Sequence, residues 1–373
     1  MEERYLIVPL GKNPAFGRFG PHAKQDWYQE CVRAVEIEQE LTSKGHETTI
    51  LVLTAVHVDG YLPEVEFYLS ALKQLNAKNV RTALQTYETI GEVETALGIA
   101  KEENKKLVVI CTPNHLHEAH ILAALSANLH VLVEKPMATS LASVQRIIKA
   151  AEKRSGILMV GMNHRYRTDS QVVRSFVQNG ELGDIESVRG SWHVFRPSRA
   201  QLGWRQRREL SGGGAMLDLG LSILDLAFWL AGTPKPVRVS ANLDVAGRDE
   251  GVEQSGSVFV VCENGTTVFV DVTWHHIGAG ERFGVGLRGS KGTAGINPMH
   301  VWKELHGVPT DVAPTGAAGR ENVFFTSFRA EWAHFLAAIR KEAKVPSLEE
   351  HVVLHRVLEA IYQSAADEKD VVL

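Results

Sequence analysis

The chain has 373 residues, long enough for two domains at roughly 100–200 residues each. Its 40 Lys and Arg against 44 Asp and Glu leave a net charge of −4, so no basic excess exists to neutralise phosphates and a nucleic-acid partner is not expected. A hydrophobic content of 44% with 23% charged residues is globular in type and excludes a wholly disordered chain.

Along the first 160 residues two hydrophobic periods alternate. Short β-rich runs occur at 5–10, 48–54, 80–84, 107–111, 130–133 and 157–160, separated by stretches of helical spacing at about 24–43, 63–75, 89–103, 116–128 and 140–155. Near-continuous Val, Ile and Leu strands between helices predict a parallel sheet covered on both faces, wound in the Rossmann manner. Gly45 and Gly156 read as helix C-terminal signals. From 161 the runs lengthen and alternate, at 185–195, 237–245, 256–262, 266–275 and 282–288, with Glu263-Asn264-Gly265 as a hairpin turn. Helices are expected at about 168–179, 214–231, 325–342 and 347–364, and 307–319 as a surface loop. The predicted organisation is a Rossmann-like domain over 1–160, then an α+β domain over 161–373 with an open, mostly antiparallel sheet. The large apolar residues at 258–274 sit on both faces of their strands, so a closed homodimer or homotetramer is expected to cover the face that helices do not.

Cys31, Cys111 and Cys262 are scattered and lack C-x-x-C spacing, giving neither a disulfide framework nor a zinc finger. Charged Glu2, Glu3 and Arg4 lead directly into a strand-like run, unlike a signal peptide. No apolar run is read as reaching the roughly 20 residues of a membrane helix. A soluble cytoplasmic protein without a membrane partner is expected.

The most specific stretch runs from Val108 to Val144. It carries Thr112-Pro113-Asn114 after one strand and Glu134-Lys135-Pro136 after the next, both at strand carboxyl ends where open α/β sheets bind ligands. This stretch resembles the Gfo/Idh/MocA family of nicotinamide-dependent sugar and polyol dehydrogenases. The resemblance continues through Gly161–Tyr166, Gly180–Gly183, Trp204-Arg205, Gly212–Gly232, Gly289–Pro298 and the C-terminal helices, covering about 108–373. It implies NAD or NADP as cofactor, a sugar-like small molecule as substrate, and a homo-oligomer. It places Thr112, Pro113, Asn114, His117, Glu134, Lys135, Pro136, Arg165, Trp204 and Arg205 beside the cofactor. Lys135 and Asp218 fall at the proton-transfer end, where an ammonium can polarise a hydroxyl or relay its proton.

Two departures stand out. The family pattern Asp-x-Gly-x-His reads here Asp218-x-Gly220-x-Ser222, and a Ser hydroxyl cannot hold a proton near neutral pH as imidazole does. The proton then falls to Lys135 with Asp218, or to a substitute such as His164 or His193, or the chemistry at Ser222 is lost. At the front, Gly11, Gly17 and Gly20 are spaced too widely for G-x-G-x-x-G, and no acidic residue ends the second strand, Asp59 lying five residues beyond Thr54. Residues 1–115 resemble instead the YdcF-like α/β domains, which implies a recombined Rossmann half.

Other constellations carry less. His115, His117 and His120 share partial zinc spacing without a fourth ligand, so no metal is expected. Adjacent His275 and His276 must face opposite ways in a strand, and Trp192, Trp204, Trp229 and Trp274 read as packing residues. The leading expectation is an NAD(P)-dependent oxidoreductase acting on a sugar-like or polyol hydroxyl. The alternative is a catalytically silent or other-nucleotide-binding regulatory protein that kept the scaffold but lost dinucleotide chemistry.

Overall fold

A computed structural model describes residues 107–196, 203–244, 251–314 and 323–373, the strands β1 (Arg4–Ile7), β2 (Glu47–Leu53) and β3 (Val80–Ala83), and the helical positions 36, 39 and 43. The expected helices at 63–75 and 89–103, the loop with Gly11, Gly17 and Gly20, and Asp59 lie outside the described residues.

Strands β1, β2 and β3 pair in parallel, as do β4 (Leu107–Ile110), β5 (His130–Glu134) and β6 (Leu158–Gly161). β1 lies against β4, which arranges the six strands as 3-2-1-4-5-6, the doubly wound order. The register Ile110↔Val133 and Glu134↔Gly161 brings the segments after β4 and β5 to one carboxyl edge. Helices α1 (His117–Ser126) and α2 (Leu141–Ala151) follow these strands. α2 starts where the Ser140 hydroxyl accepts from the Ser143 N–H at 3.2 Å, and it buries Val144, Ile147 and Ile148, three to four residues apart. Gly156 is not a helix cap: α2 has already ended at Ala151. Its backbone instead passes so close to the Leu129 carbonyl that a Cβ would sit 2.2 Å from that oxygen.

The second sheet has nine strands, ordered β14-β13-β12-β11-β7-β10-β9-β8-β15. They are β7 (Ile185–His193), β8 (Pro236–Asp244), β9 (Ser255–Cys262), β10 (Thr267–Thr273), β11 (Arg282–Gly289), β12 (Gly292–Ile296), β13 (His300–Leu305), β14 (Val308–Asp311) and β15 (Val371–Val372). All ladders are antiparallel except β7 with β10, which is parallel. The turn at Glu263–Gly265 closes the β9–β10 hairpin, with Gly265 at φ +84° and the Thr266 N–H donating to Asn264 Oδ1. β12 and β13 were not expected, being short and rich in Gly, Thr and charged residues, and β14 occupies the start of the stretch read as a loop.

One sheet face is buried: Val258, Val260, Val268, Val270, Val272 and Trp274 pack towards a π-helical turn (Met216–Gly220) that runs into α5 (Leu221–Leu230). Gly190 on β7 permits this approach, since a Cβ there would meet Ile223 Cγ2 at 2.3 Å. The stretch Arg208–Leu230 is in fact long and apolar enough, by composition alone, to cross a membrane, but 89% of its apolar window is buried inside the protein, as befits a core helix. Around it lie α3 (Thr168–Gln178), the short α4 (Arg208–Ser211), α6 (Val323–Ile339) and α7 (Glu349–Asp367). α6 packs on the 3-10 turn Asn163–Tyr166 and α7 against α2 and β8, so the C-terminal helices tie the parallel layer to the large sheet.

Candidate active site

The site forms where the carboxyl edge of β4–β6 faces the π-helical turn. Residues following β4 and β5 reach this edge because parallel strands end there together, and a π-turn re-aims a side chain that a regular helix would direct elsewhere. Lys135 Nζ donates to the backbone carbonyl of Asp218 and, at 3.3 Å, to its Oδ1. The other carboxylate oxygen, Oδ2, accepts from Arg196 Nη2 at 2.7 Å and from Trp274 Nε1 at 3.2 Å. The Arg196 guanidinium lies over the Trp274 ring, 4.4 Å from its centroid. Arg196 and Trp274 as partners of Asp218 escaped the sequence reading. They follow β7 and β10, and only the parallel pairing of those strands, which hydrophobic periodicity does not encode, brings their ends together.

The Thr112–Asn114 segment is fixed from several sides. Asn114 Nδ2 donates to the Ser211 carbonyl at 2.8 Å, joining it to α4. Thr112 Oγ1 pairs with His120 Nδ1 at 3.0 Å. His117 is buried, with its two ring nitrogens each 2.7 Å from a backbone carbonyl, those of Thr112 and Pro136. It therefore bridges the segment after β4 and the segment after β5. Burial pushes its pKa below the usual 6.5 despite both carbonyls. With these contacts His117 and His120 are engaged by protein groups rather than poised as metal ligands, and among the described residues no three His, Cys, Asp or Glu are disposed to hold a metal.

Arg165 is engaged by carboxylates of two helices. Its Nε and Nη2 reach Asp225 at 2.8 and 2.5 Å, and its Nη1 reaches Glu350 at 2.5 Å, all within the interior. All three nitrogens contact carboxylates, so Arg165 joins α5 to α7. Of the two histidines considered as substitutes for the missing imidazole, His193 lies on the wrong sheet face. It follows inward-facing Trp192 and binds Asp271 Oδ2 at 2.7 Å, where Ser257 also donates to Asp271. His164 is buried against Phe283 and Trp192, with ring centroids 4.6 and 5.1 Å away. Burial, then the charges of Arg167 and Lys135, push its pKa down to about 3, so it stays neutral. Ser222 is buried one turn beyond Asp218 on the same helical run.

The residues at the edge fit a nicotinamide dinucleotide. Arg205, Arg207 and Arg208 stand within four positions at the start of the helix that Asn114 contacts; Arg205 stacks 4.2 Å above the Trp204 ring and Arg208 lies 4.7 Å over the Tyr362 ring.

Comparison with known proteins agrees with this arrangement. A family model described as an oxidoreductase family with an NAD-binding Rossmann fold matches residues 68–162, and the GFO/IDH/MocA C-terminal domain matches 170–295. The first of these reaches back into the stretch whose pattern resembles YdcF-like domains. D-glucoside 3-dehydrogenase of Escherichia coli (strain K12) is 25% identical over 84% of this chain and 92% of its own. The scyllo-inositol 2-dehydrogenase (NADP(+)) of Bacillus subtilis (strain 168) is 30% identical over 46% of this chain and 47% of its own. Among solved structures, levoglucosan dehydrogenase in complex with NADH and levoglucosan superposes with a TM-score of 0.76 at 20% identity, covering 99% of both chains, which shows the shared fold. The two matched domains together span more than half of the sequence in the order the fold requires, and the chain belongs to the Gfo/Idh/MocA oxidoreductase family.

Proposed function

We propose that this protein is an NAD(P)-dependent dehydrogenase that oxidises a secondary hydroxyl of a sugar-like or polyol substrate, or reduces the corresponding ketone. The observation that carries the reading is Lys135 held against Asp218 at the carboxyl edge of the parallel sheet. The bound nicotinamide would supply the hydride chemistry. Thr112, Pro113, Asn114, Glu134, Pro136, Trp204 and Arg205 would line its site. An ammonium has three N–H donors. Asp218 takes two through its carbonyl and Oδ1, which leaves one for a substrate oxygen. Asp218 accepts from Lys135, Arg196 and Trp274, contacts that favour its charged form, so it acts as a fixed anion and Lys135 carries the proton.

The division into domains 1–160 and 161–373 falls at β6, which ends at Gly161. A homodimer or homotetramer through the open sheet face is supported by Phe259 and Phe269, cross-strand partners that are 40% and 37% exposed there. The preference for a small-molecule enzyme without a nucleic-acid partner is supported by the charge balance and by the sugar-dehydrogenase relative; a cytoplasmic location is an expectation from the charged N-terminal residues Glu2, Glu3 and Arg4.

The presence of Ser222 where the family places imidazole favours a second reading, a catalytically silent dinucleotide- or other-nucleotide-binding regulator. Titration with NADH and NADPH by fluorescence, followed by turnover assays on cyclitols, aldoses and glycosides with NAD and NADP, separates the two. Binding with turnover is expected. Binding without turnover across the panel favours the regulator, and no binding at millimolar dinucleotide overturns both dinucleotide readings.

A further inference from the structure

Arg196 has no counterpart among the residues that the sequence pattern assigned, yet it makes the shortest side-chain contact to Asp218, at 2.7 Å. Its position is fixed three ways. Its backbone N–H donates to the Trp274 carbonyl at 2.8 Å, its guanidinium lies on the Trp274 ring at 4.4 Å, and the bridge between Phe195 and His275 precedes it. The cluster thus holds two cations, Lys135 and Arg196, on one carboxylate.

We propose that Arg196 is a positioning residue that assumes the charge-balancing part of the absent imidazole, holding Asp218 as a fixed anion so that Lys135 can release and regain its proton. This rests on the dehydrogenase reading above. In the oxidative direction a bound oxidised nicotinamide would take the hydride from the substrate carbon, and the role of Lys135 is to accept the hydroxyl proton on its neutral amine as the C=O bond forms. Lys135 must therefore be neutral before each oxidation. When it is, Asp218 remains paired with Arg196 and the cluster carries no net charge. Without Arg196, deprotonating Lys135 would remove the second of two cations held on Asp218, so the proton would stay on Lys135 to higher pH. Ser222 needs no role in this scheme. His164, on which Lys135 acts electrostatically, stays neutral, and Arg167, which also acts on His164, is itself paired with Asp169.

The test measures Lys135 itself as well as turnover. Competitive acylation of the ligand-free protein, read by mass spectrometry across pH, gives the pH of half-labelling at Lys135. Arg196→Met is expected to raise that pH by about one unit. It should also move the rising limb of the oxidation rate upward by a similar amount, with NADH affinity unchanged. Arg196→Lys and added guanidinium should each restore part of the shift. Should Arg196→Met not fold, Trp274→Phe, which keeps the ring but removes the Nε1 donor, is expected to give a smaller shift in the same direction. An unmoved or lowered half-labelling pH with turnover intact overturns the proposal. A full labelling shift in a protein that turns over nothing overturns the dehydrogenase reading and leaves the charge coupling standing.

Discussion

One helical run carries two Arg–Asp pairs of opposite character. Asp218 and Asp225 are seven residues apart, about two turns, and each binds an arginine from a segment just after a strand. Each cluster also has a buried, neutral imidazole with an unpartnered Nδ1 close by, His164 beside Lys135 and His351 beside Arg165. Yet the Asp225 side chain is 1% exposed and that of Asp218 is 26%. At Asp225 every guanidinium nitrogen of Arg165 contacts a carboxylate, in a site closed to solvent. At Asp218 the partners include an ammonium with a donor to spare, open to solvent. Residue type is the same in both; access to solvent separates reacting chemistry from architecture.

The largest effect should come from Lys135→Met, which keeps length but removes the charge and all donors. Turnover is expected to fall by roughly a thousandfold or more while the unfolding midpoint in urea barely moves. Near wild-type rates would remove Lys135 from the chemistry. The mirror experiment is Asp225→Ala. It leaves Arg165 buried with only Glu350 as a carboxylate partner and should cost about 3–5 kcal/mol of stability. Turnover per folded molecule should be retained. Were Asp225→Ala to abolish turnover in a protein of normal stability, the division between the two clusters would fail.

How much of this contrast could be read from the sequence depends on distance along the chain. β4 to β6 announce themselves as short Val- and Ile-rich runs, and Lys135 is marked by the motif around it. Asp218 is marked likewise, by the glycines that precede it. Arg196 and Trp274 carry no such mark, because they meet through the β7–β10 pairing of strands about 80 positions apart. Arg165 and His117 show the converse: the motif marks them, but their buried partners, carboxylates for Arg165 and backbone carbonyls for His117, were not legible in it. β12 to β14 were missed because a strand at the sheet's far edge needs little apolar alternation.

A smaller effect, through pH, should sharpen the comparison of the two imidazoles. Burial pushes His164 down to about 3 and His120 to about 4, and lowers His351 well below 6.5. A base depressed in the folded state binds fewer protons than in the unfolded chain at pH below about 6.5. Stability is therefore lost as pH falls from there towards the folded values. At about pH 5 His164 and His120 should each cost about 2 kcal/mol. His164→Phe keeps an aromatic ring against Phe283 and should remove that share of the slope between neutral pH and pH 5 in urea melts. Identical slopes for the variant and the parent would mean that His164 takes up a proton in the folded state.

The smallest expected effect belongs to a third Arg–carboxylate pair that isolates geometry from environment. Arg146 on α2 grips Glu118 on α1 through Nε at 2.6 Å and Nη2 at 2.9 Å, the same two-point arrangement that Arg165 makes with Asp225. The Arg146 side chain is 59% exposed, so water and salt screen the pair and neither charge is stranded when the other is removed. The Arg146 contact, ahead of a smaller contribution from burial that acts the other way, lowers the Glu118 carboxyl below its usual range, but at this exposure that preference does not amount to an anchor for the fold. Arg146→Ala should leave the thermal midpoint without a resolvable shift, in low or high salt, and leave turnover unchanged. If its melting curve instead dropped as far as that of Asp225→Ala, bidentate geometry rather than burial would govern these pairs, and the contrast between Asp218 and Asp225 would need another cause.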